Sequence, residues 1–292
     1  DSGEMFRLYN AAFARFPDAS GLEYWINQYS SGVDDSRAVA SSFLVSAEFQ
    51  QLYGDNISNA TYVENLYLNV LNRELVQALR CEILLLLKKT FRNYHKNKKN
   101  RFLSLEMMWL ENTLIREFVL SSRIAKICAD LLSVKKIRLY HDNALVKESG
   151  CGRTPWHYDD HHFPLATNDV ITAWIPAQYI PIEMGPLTFA KPLEVYKLVK
   201  DIKFNEYDTS YDRKIKKVFK NNHVSIVEEP FELGEVSFHH NLSFHSASEN
   251  KTTQSRIVLA NTYFADGARV VNNPTMISGD CKKFIPETNP GE

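Results

Sequence analysis

A chain of 292 residues, 44% of them hydrophobic, can bury one large core or two smaller ones, and a formal net charge of -1 with a pI near 6.8 excludes any global pull toward nucleic acid or a membrane surface. The longest apolar run, Ile83 to Leu87, is far too short to span a bilayer, and no secretory signal opens the chain, so a cytoplasmic location is expected. Four widely spaced cysteines, Cys81, Cys128, Cys151 and Cys281, form no C-x-x-C pair, which argues against a zinc ribbon or a disulfide scaffold.

Local charge is less even. Before Leu75 there are four Lys plus Arg against ten Asp plus Glu; from Leu75 to Gly150 there are fifteen against seven. The shift predicts a boundary near residue 73, with a small all-helical module over 1–73 and a larger domain over 74–292. In the first part, Met5 to Arg15 places Phe6, Tyr9, Ala12 and Phe13 on one helical stripe, Leu22, Trp25, Ile26 and Tyr29 repeat the spacing, and Val39, Phe43 and Leu44 do so again. Pro17-Asp18 separates the first helix from the second. Leu8-Tyr9 followed by Arg15 is echoed by Leu66-Tyr67 followed by Arg73, an internal repeat at low strength.

Those residues, with Pro17-Asp18-Ala19-Ser20-Gly21-Leu22-Glu23-Tyr24-Trp25 and Phe43-Leu44-Val45-Ser46-Ala47-Glu48-Phe49, resemble a bacterial repeat domain of unknown function over 5–73. The resemblance implies an accessory module with no established chemistry, one that would serve a surface or protein partner. Tyr24, Trp25 and Tyr29 could stack on a ligand, but helix-core packing is the simpler role.

Leu75 to about Tyr94 predicts a long helix, followed by a basic run, His95 to Arg101, read as a solvated connection because no aromatic residue is interleaved in it. Two further helices are predicted over Leu103–Val119 and Ser122–Leu132, the second capped by Ser121 or Ser122. Then the period changes. Strands are predicted at Ile137–Tyr140, Ala144–Lys147, Val170–Pro176, Leu187–Ala190, Val224–Val227, Val236–His240 and Arg256–Phe264. Many short strands joined by irregular loops favour a sandwich or barrel. The polar segment 197–222 fits none of these elements and reads as an insertion over the site mouth or a disordered loop.

The chemistry concentrates in Trp156-His157-Tyr158-Asp159. A histidine and a carboxylate two positions apart project from one side of an extended strand and can reach one metal ion. Two histidines and one carboxylate on one face of an octahedral ion leave the opposite face open, as in non-haem Fe(II) oxygenases. Asp160, His161 and His162 also crowd this block, yet only His157 and Asp159 have the histidine-x-aspartate spacing. For the third ligand, His239 and His240 compete with His245; only His245 has an arginine, Arg256, eleven residues on. If the co-substrate is 2-oxoglutarate, its far carboxylate needs a fixed cation, which a bidentate arginine supplies best.

Leu145-Val146-Lys147, Trp156 to Asp159, Thr172-Ala173-Trp174, Gly185-Pro186-Leu187, Leu233-Gly234-Glu235-Val236, His245 and Arg256 together resemble the phytanoyl-CoA dioxygenase family of Fe(II)- and 2-oxoglutarate-dependent oxygenases over about 75–265. The resemblance implies an α+β fold: a double-stranded β-helix, the cupin-like jelly roll, with flanking helices. It implies that His157, Asp159 and His245 hold Fe(II), that Arg256 pairs with the C5 carboxylate of 2-oxoglutarate, and that Lys147, Trp174 and Thr172 contact the same co-substrate. Because Asp159 is present rather than a small residue, hydroxylation is expected instead of halogenation. The expected reaction hydroxylates an unactivated C–H of a small metabolite, lipid or natural product, consuming O2 and releasing succinate and CO2. The family's strand ahead of its first helices has no evident counterpart here. A non-enzymatic interaction protein on a degenerate scaffold competes with this reading, as does a metal enzyme without 2-oxoglutarate, in which Arg256 would sit in a structural salt bridge.

Overall fold

The computed structural model describes residues 18–32, 36–44, 46–53, 73–91, 100–203, 210–272, 281–286, 288, 289 and 291. The helix predicted over Met5–Arg15, the second repeat copy at Leu66-Tyr67 and most of the basic run after Tyr94 lie outside these residues. The chain divides into two compact units, Asp1–Asn72 and Arg73–Glu292.

In the first unit three short helices are described: α1 (Ala19–Ser30), α2 (Ser36–Leu44) and α3 (Ala47–Tyr53). Asp18 starts α1 by accepting the Gly21 N–H at 2.8 Å, and Ser46 starts α3 by accepting that of Phe49 at 3.1 Å. Trp25 meets Phe43 edge-on at 5.3 Å beside buried Val39 and Phe49, so it is a core residue, whereas Tyr24 is 53% exposed.

The second unit opens with α4 (Arg73–Thr90), whose buried Val76, Leu79, Ile83 and Leu87 recur at helical spacing. Where a single helix was expected over Leu103–Val119, the chain instead forms strand β1 (Phe102–Glu106), a 3-10 turn (Met108–Leu110) and helix α5 (Thr113–Val119). The sheet decides this: β1 pairs residue for residue with β2 (Ile137–Lys147), from Phe102↔Lys147 to Glu106↔Asn143, and the helix begins only where Asn112 caps the Ile115 N–H. Helix α6 (Ser122–Leu131) follows with Ser121 at its N-cap, although the Ser121 hydroxyl makes no capping bond.

Beyond β2 come β3 (Thr154–His157), β4 (Val170–Pro176), β5 (Leu187–Lys191), helices α7 (Val195–Val199) and α8 (Ser210–Asn221), then β6 (Ser225–Glu228), β7 (Ser237–His240), β8 (His245–Ala247), β9 (Arg256–Ala265) and helix α9 (Cys281–Phe284). The two strands predicted on either side of Asn143 are one, β2, with a bulge between Leu139 and His141. All pairings are antiparallel, in a five-stranded sheet ordered β1-β2-β9-β4-β7 and a four-stranded sheet ordered β3-β8-β5-β6. Within the segment 197–222, residues 210–221 form helix α8, where a loop or a lid over the site mouth was the expectation. Helix α8 buries Tyr211, Ile215 and Phe219, four residues apart, with Trp156 and Phe244 in one cluster. Tyr211 Oη donates to the Trp156 carbonyl at 2.8 Å, and the Phe219 ring meets the Trp156 indole edge-on at 5.0 Å. The insertion thus braces the strand that carries His157. Arg101, assigned to the solvated run, instead pairs with buried Glu148, its Nη2 donating at 2.6 Å.

Candidate metal centre

Between the two sheets lies a cavity of about 700 Å³, reached by side chains of both. His157 ends β3, and the chain stays extended only through Tyr158 before Asp159 opens a 3-10 turn, so the two do not share one strand as the spacing suggested. The Asn241 carbonyl holds that turn by accepting the N–H groups of Asp159 at 2.7 Å and Asp160 at 3.2 Å. His245 opens β8, directly opposite His157 in register. One ligand atom from each of His157, Asp159 and His245 lies within 4.8 Å of the others.

The imidazoles are aimed by their own backbones. Nδ1 of His157 lies 2.8 Å from the Pro155 carbonyl oxygen, and Nδ1 of His245 lies 2.8 Å from that of Ser243. A carbonyl only accepts, so each Nδ1 carries the proton and each Nε2 presents a bare lone pair. These Nε2 atoms sit 3.6 and 3.7 Å from Asp159 Oδ1. Burial pushes both imidazoles down in pKa, His245 to about 3, and keeps them neutral, as a metal ligand must be. Burial pushes the Asp159 carboxyl up in pKa, while the hydrogen bond that His239 donates to it acts the other way and holds it below the usual range. A buried carboxylate facing two neutral nitrogens fits a divalent cation in donor chemistry and in reach.

The competing groups fall away. Asp160 Oδ1 accepts from Asn241 Nδ2 at 3.0 Å, His162 is exposed, and His240 Nδ1 accepts the Leu242 N–H at 3.2 Å. The side chain of His161 lies outside the described residues. His239 does not fall away: its Nε2 is 3.5 Å from Asp159 Oδ2 and its ring centroid 5.0 Å from that of His245. No arginine stands eleven residues after His239, and the signal that could have found it is its period-2 position on β7.

Away from this cluster the floor of the cavity is the five-stranded sheet. Arg256, at the start of β9, is 2% exposed; its Nη1 donates to the Gly185 carbonyl, its guanidinium lies 5.5 Å from the Trp174 ring centre, and its Nε has no partner. No carboxylate pairs with it among the described residues. Burial pushes its pKa down to about 10. Thr172 and Thr262 share a hydroxyl hydrogen bond at 3.1 Å, and one rung of the sheet runs His141, Thr262, Thr172, His239 across four strands. Arg256, Trp174 and Thr172 all line the cavity. Lys147 does not: it is fully buried behind the wall, with Nζ donating to the carbonyls of Gly152, Ala247 and Ser248 at 3.0, 3.2 and 2.6 Å. Those bonds tie β2 to the strand bearing His245, a role the sequence reading did not assign to it. Tyr140, His141, Phe163 and Phe284 form an aromatic wall at the cavity's other side, while Phe102 lies on the rung of Lys147 and Arg256.

Residues 69–258 match the model of the phytanoyl-CoA dioxygenase (PhyH) family, and residues 40–78 match a domain of unknown function (DUF4214), a shorter stretch than the 5–73 read from sequence. A search of curated protein sequences returns no match. Among solved structures, the chain is similar to the non-heme alpha ketoglutarate dependent carbocyclase SnoK from nogalamycin biosynthesis, at 23% identity over 77% of this chain and 85% of that one, with a TM-score of 0.60. The epimerase SnoN in complex with Fe3+, alpha ketoglutarate and nogalamycin RO is similar at 21% identity over 71% and 80%, with a TM-score of 0.55. EctD from S. alaskensis with bound Fe matches at 13% identity over 69% and 72%, with a TM-score of 0.54. These likenesses concern the fold. The family model covers well over half of the sequence and spans His157, Asp159, His245 and Arg256, and on that ground the chain belongs to the phytanoyl-CoA dioxygenase family.

Proposed function

We propose that this chain is an Fe(II)- and 2-oxoglutarate-dependent dioxygenase that hydroxylates a C–H bond of a small molecule, with His157, Asp159 and His245 as the metal ligands and Arg256 as the partner of the co-substrate's far carboxylate. The observation that carries the reading is one cavity holding both a His-Asp-His donor set within 4.8 Å and a buried guanidinium with no carboxylate partner among the described residues. The two antiparallel sheets enclosing that cavity are read as a double-stranded β-helix, and residues 1–73 as a separate accessory module with a surface or protein partner.

When bound, iron and 2-oxoglutarate supply the oxidising chemistry, in which the keto acid is decarboxylated to succinate and CO2 as dioxygen is consumed. The protein's share is placement. The Nε2 atoms of His157 and His245 and the Asp159 carboxylate would hold the metal, three donors that leave room for small ligands beside them. Arg256, fixed by Gly185 and lying near the Trp174 ring, offers an anion a desolvated cation that no carboxylate among the described residues neutralises. Thr172, with its hydroxyl tied to Thr262, lies on the wall between Arg256 and the metal cluster and is read as a further co-substrate contact. A cavity of about 700 Å³ suits a small-molecule substrate beside the co-substrate.

The test is succinate formation by purified protein with Fe(II) and 2-oxoglutarate, together with an anaerobic spectrum searched for the charge-transfer band of a chelated keto acid. Absence of both, with no Fe(II) or Mn(II) binding by calorimetry, would sink the proposal. A carbocyclase and an epimerase share this fold, so incorporation of one atom of labelled O2 into product is what separates hydroxylation from those outcomes. The degenerate-scaffold alternative is disfavoured by the intact donor set. The alternative without 2-oxoglutarate is disfavoured by the lack of an ion pair on Arg256.

A further inference from the structure

We infer that His239 is a positioning residue for the metal centre: it holds Asp159 by Oδ2, so that the carboxylate offers the metal Oδ1 alone. The inference rests on the metal-ligand reading above and adds a residue to it. His239 stands on β7 of the five-stranded sheet, opposite Thr172 in register, while Asp159 lies in the turn after β3 of the other sheet. Their contact therefore bridges the two walls of the cavity. The carboxylate is divided between its neighbours: Oδ1 faces His157 Nε2 at 3.6 Å and His245 Nε2 at 3.7 Å, whereas Oδ2 faces His239 Nε2 at 3.5 Å.

What fixes each ring differs. His157 and His245 are anchored from behind, through Nδ1 to a carbonyl two residues earlier. His239 has no such anchor. Its side chain is 4% exposed, its Nδ1 is buried with no hydrogen-bond partner, and its faces are taken by Phe189 at 5.6 Å and His245 at 5.0 Å. The polar contact that orients it is the one to Asp159, which requires the Nε2–H tautomer and makes His239 the donor. His239 is not itself within ligand reach of all three members of the cluster, so it acts through Asp159.

The consequence is a count of coordination positions. A carboxylate free to bind through both oxygens would take two of six sites on an octahedral ion; one held by Oδ2 takes one. With two imidazoles, that leaves three, enough for a chelating keto acid and one further small ligand. Outer partners of metal ligands commonly change metal affinity by about 10–100-fold when removed.

The test uses the full chain with Mn(II) as the probe, by calorimetry, and the visible spectrum of the Co(II)-loaded protein. His239→Phe keeps ring volume without a donor; His239→Gln keeps a donor near the Nε2 position. The expected result is Mn(II) binding weakened about tenfold or more in the Phe variant and recovered to within about threefold in the Gln variant, with the Co(II) bands shifted only in the former. If the Phe variant does not fold, His239→Leu takes its place. Equal Mn(II) affinity in the Phe variant and the unaltered chain, or equal loss in Phe and Gln, overturns the inference. If the unaltered chain and Asp159→Ala bind Mn(II) equally poorly, the metal-ligand reading fails and this inference with it.

Discussion

Lys147 on β2 and Arg256 on β9 stand directly opposite each other in the sheet, both buried, and neither forms an ion pair among the described residues. Two adjacent cations without a counter-charge destabilise the empty fold and favour an anion at the cavity wall. Three carbonyls absorb Lys147, and burial pushes its pKa down to about 7. Arg256 has one carbonyl partner and keeps an unpaired Nε. Replacing Arg256 by Met is therefore expected to raise the melting temperature of the protein without 2-oxoglutarate, and to weaken 2-oxoglutarate binding to the Mn(II)-loaded protein about 100-fold. Calorimetry and differential scanning measure the two effects. A melting temperature that falls would mean the guanidinium is structural.

Alanine at His157, Asp159 or His245 is expected to abolish tight Mn(II) binding and to lower succinate formation at least about 1000-fold. Chelator treatment should do the same to the unaltered protein, and added Fe(II), but not Zn(II), should restore it. Retention of turnover in any of the three variants would remove that residue from the ligand set.

Gly185 has φ +73°, and a Cβ there would lie 2.2 Å from the Ser248 carbonyl oxygen. The same glycine provides the carbonyl that fixes Arg256. Gly185→Ala is expected to cost at least about 2 kcal/mol in urea unfolding and to weaken 2-oxoglutarate binding, because relief of the clash moves the acceptor. Unchanged affinity in a folded variant would show that Arg256 needs no such support.

Phe219 on α8 packs against Trp156 and Phe244, behind the strand that ends in His157. Truncation to alanine should cost about 3–5 kcal/mol and loosen that strand. Urea unfolding gives the stability loss. Mn(II) titration of the folded variant should show weakened binding, though no atom of Phe219 lines the cavity.

Asp142 is fully buried on β2, and burial pushes its carboxyl up to about 6, against an ordinary value near 3.8. With the folded value the higher, the native state holds a proton that the unfolded chain gives up, so stability falls as pH rises from about 4 to about 6 and the full penalty stands above that. Asp142→Asn should thus gain on the order of 2 kcal/mol at pH 7.5 and close to nothing at pH 4. A gain of equal size at both pH values would point to packing instead of charge.

The long hydrophobic strands were legible because their pattern is local. Val170–Pro176 is found with the predicted ends and Arg256–Ala265 within one residue, since each is buried on both faces and reads as a continuous apolar run. Thr154–His157 and His245–Ala247 were not visible as strands, because neither carries a run of apolar or β-branched residues, although they bear two of the candidate ligands. Phe102–Glu106 was absorbed into a neighbouring helix because five residues cannot by themselves separate the two periods; pairing with β2 settles it.

For the site, residue type and spacing already name His157, Asp159, His245 and Arg256 as groups that could meet, and their chemistry needs no coordinates to name. Folding settles who else stands there. It brought His239 across the cavity to Asp159, moved Lys147 off the wall onto three carbonyls, and turned an apparent loop into the helix that supports His157. The reason is physical. Ligand identity is written in side-chain chemistry, whereas orientation and support come from contacts between segments as much as 101 positions apart, such as Lys147 and Ser248, that only sheet register and packing bring together.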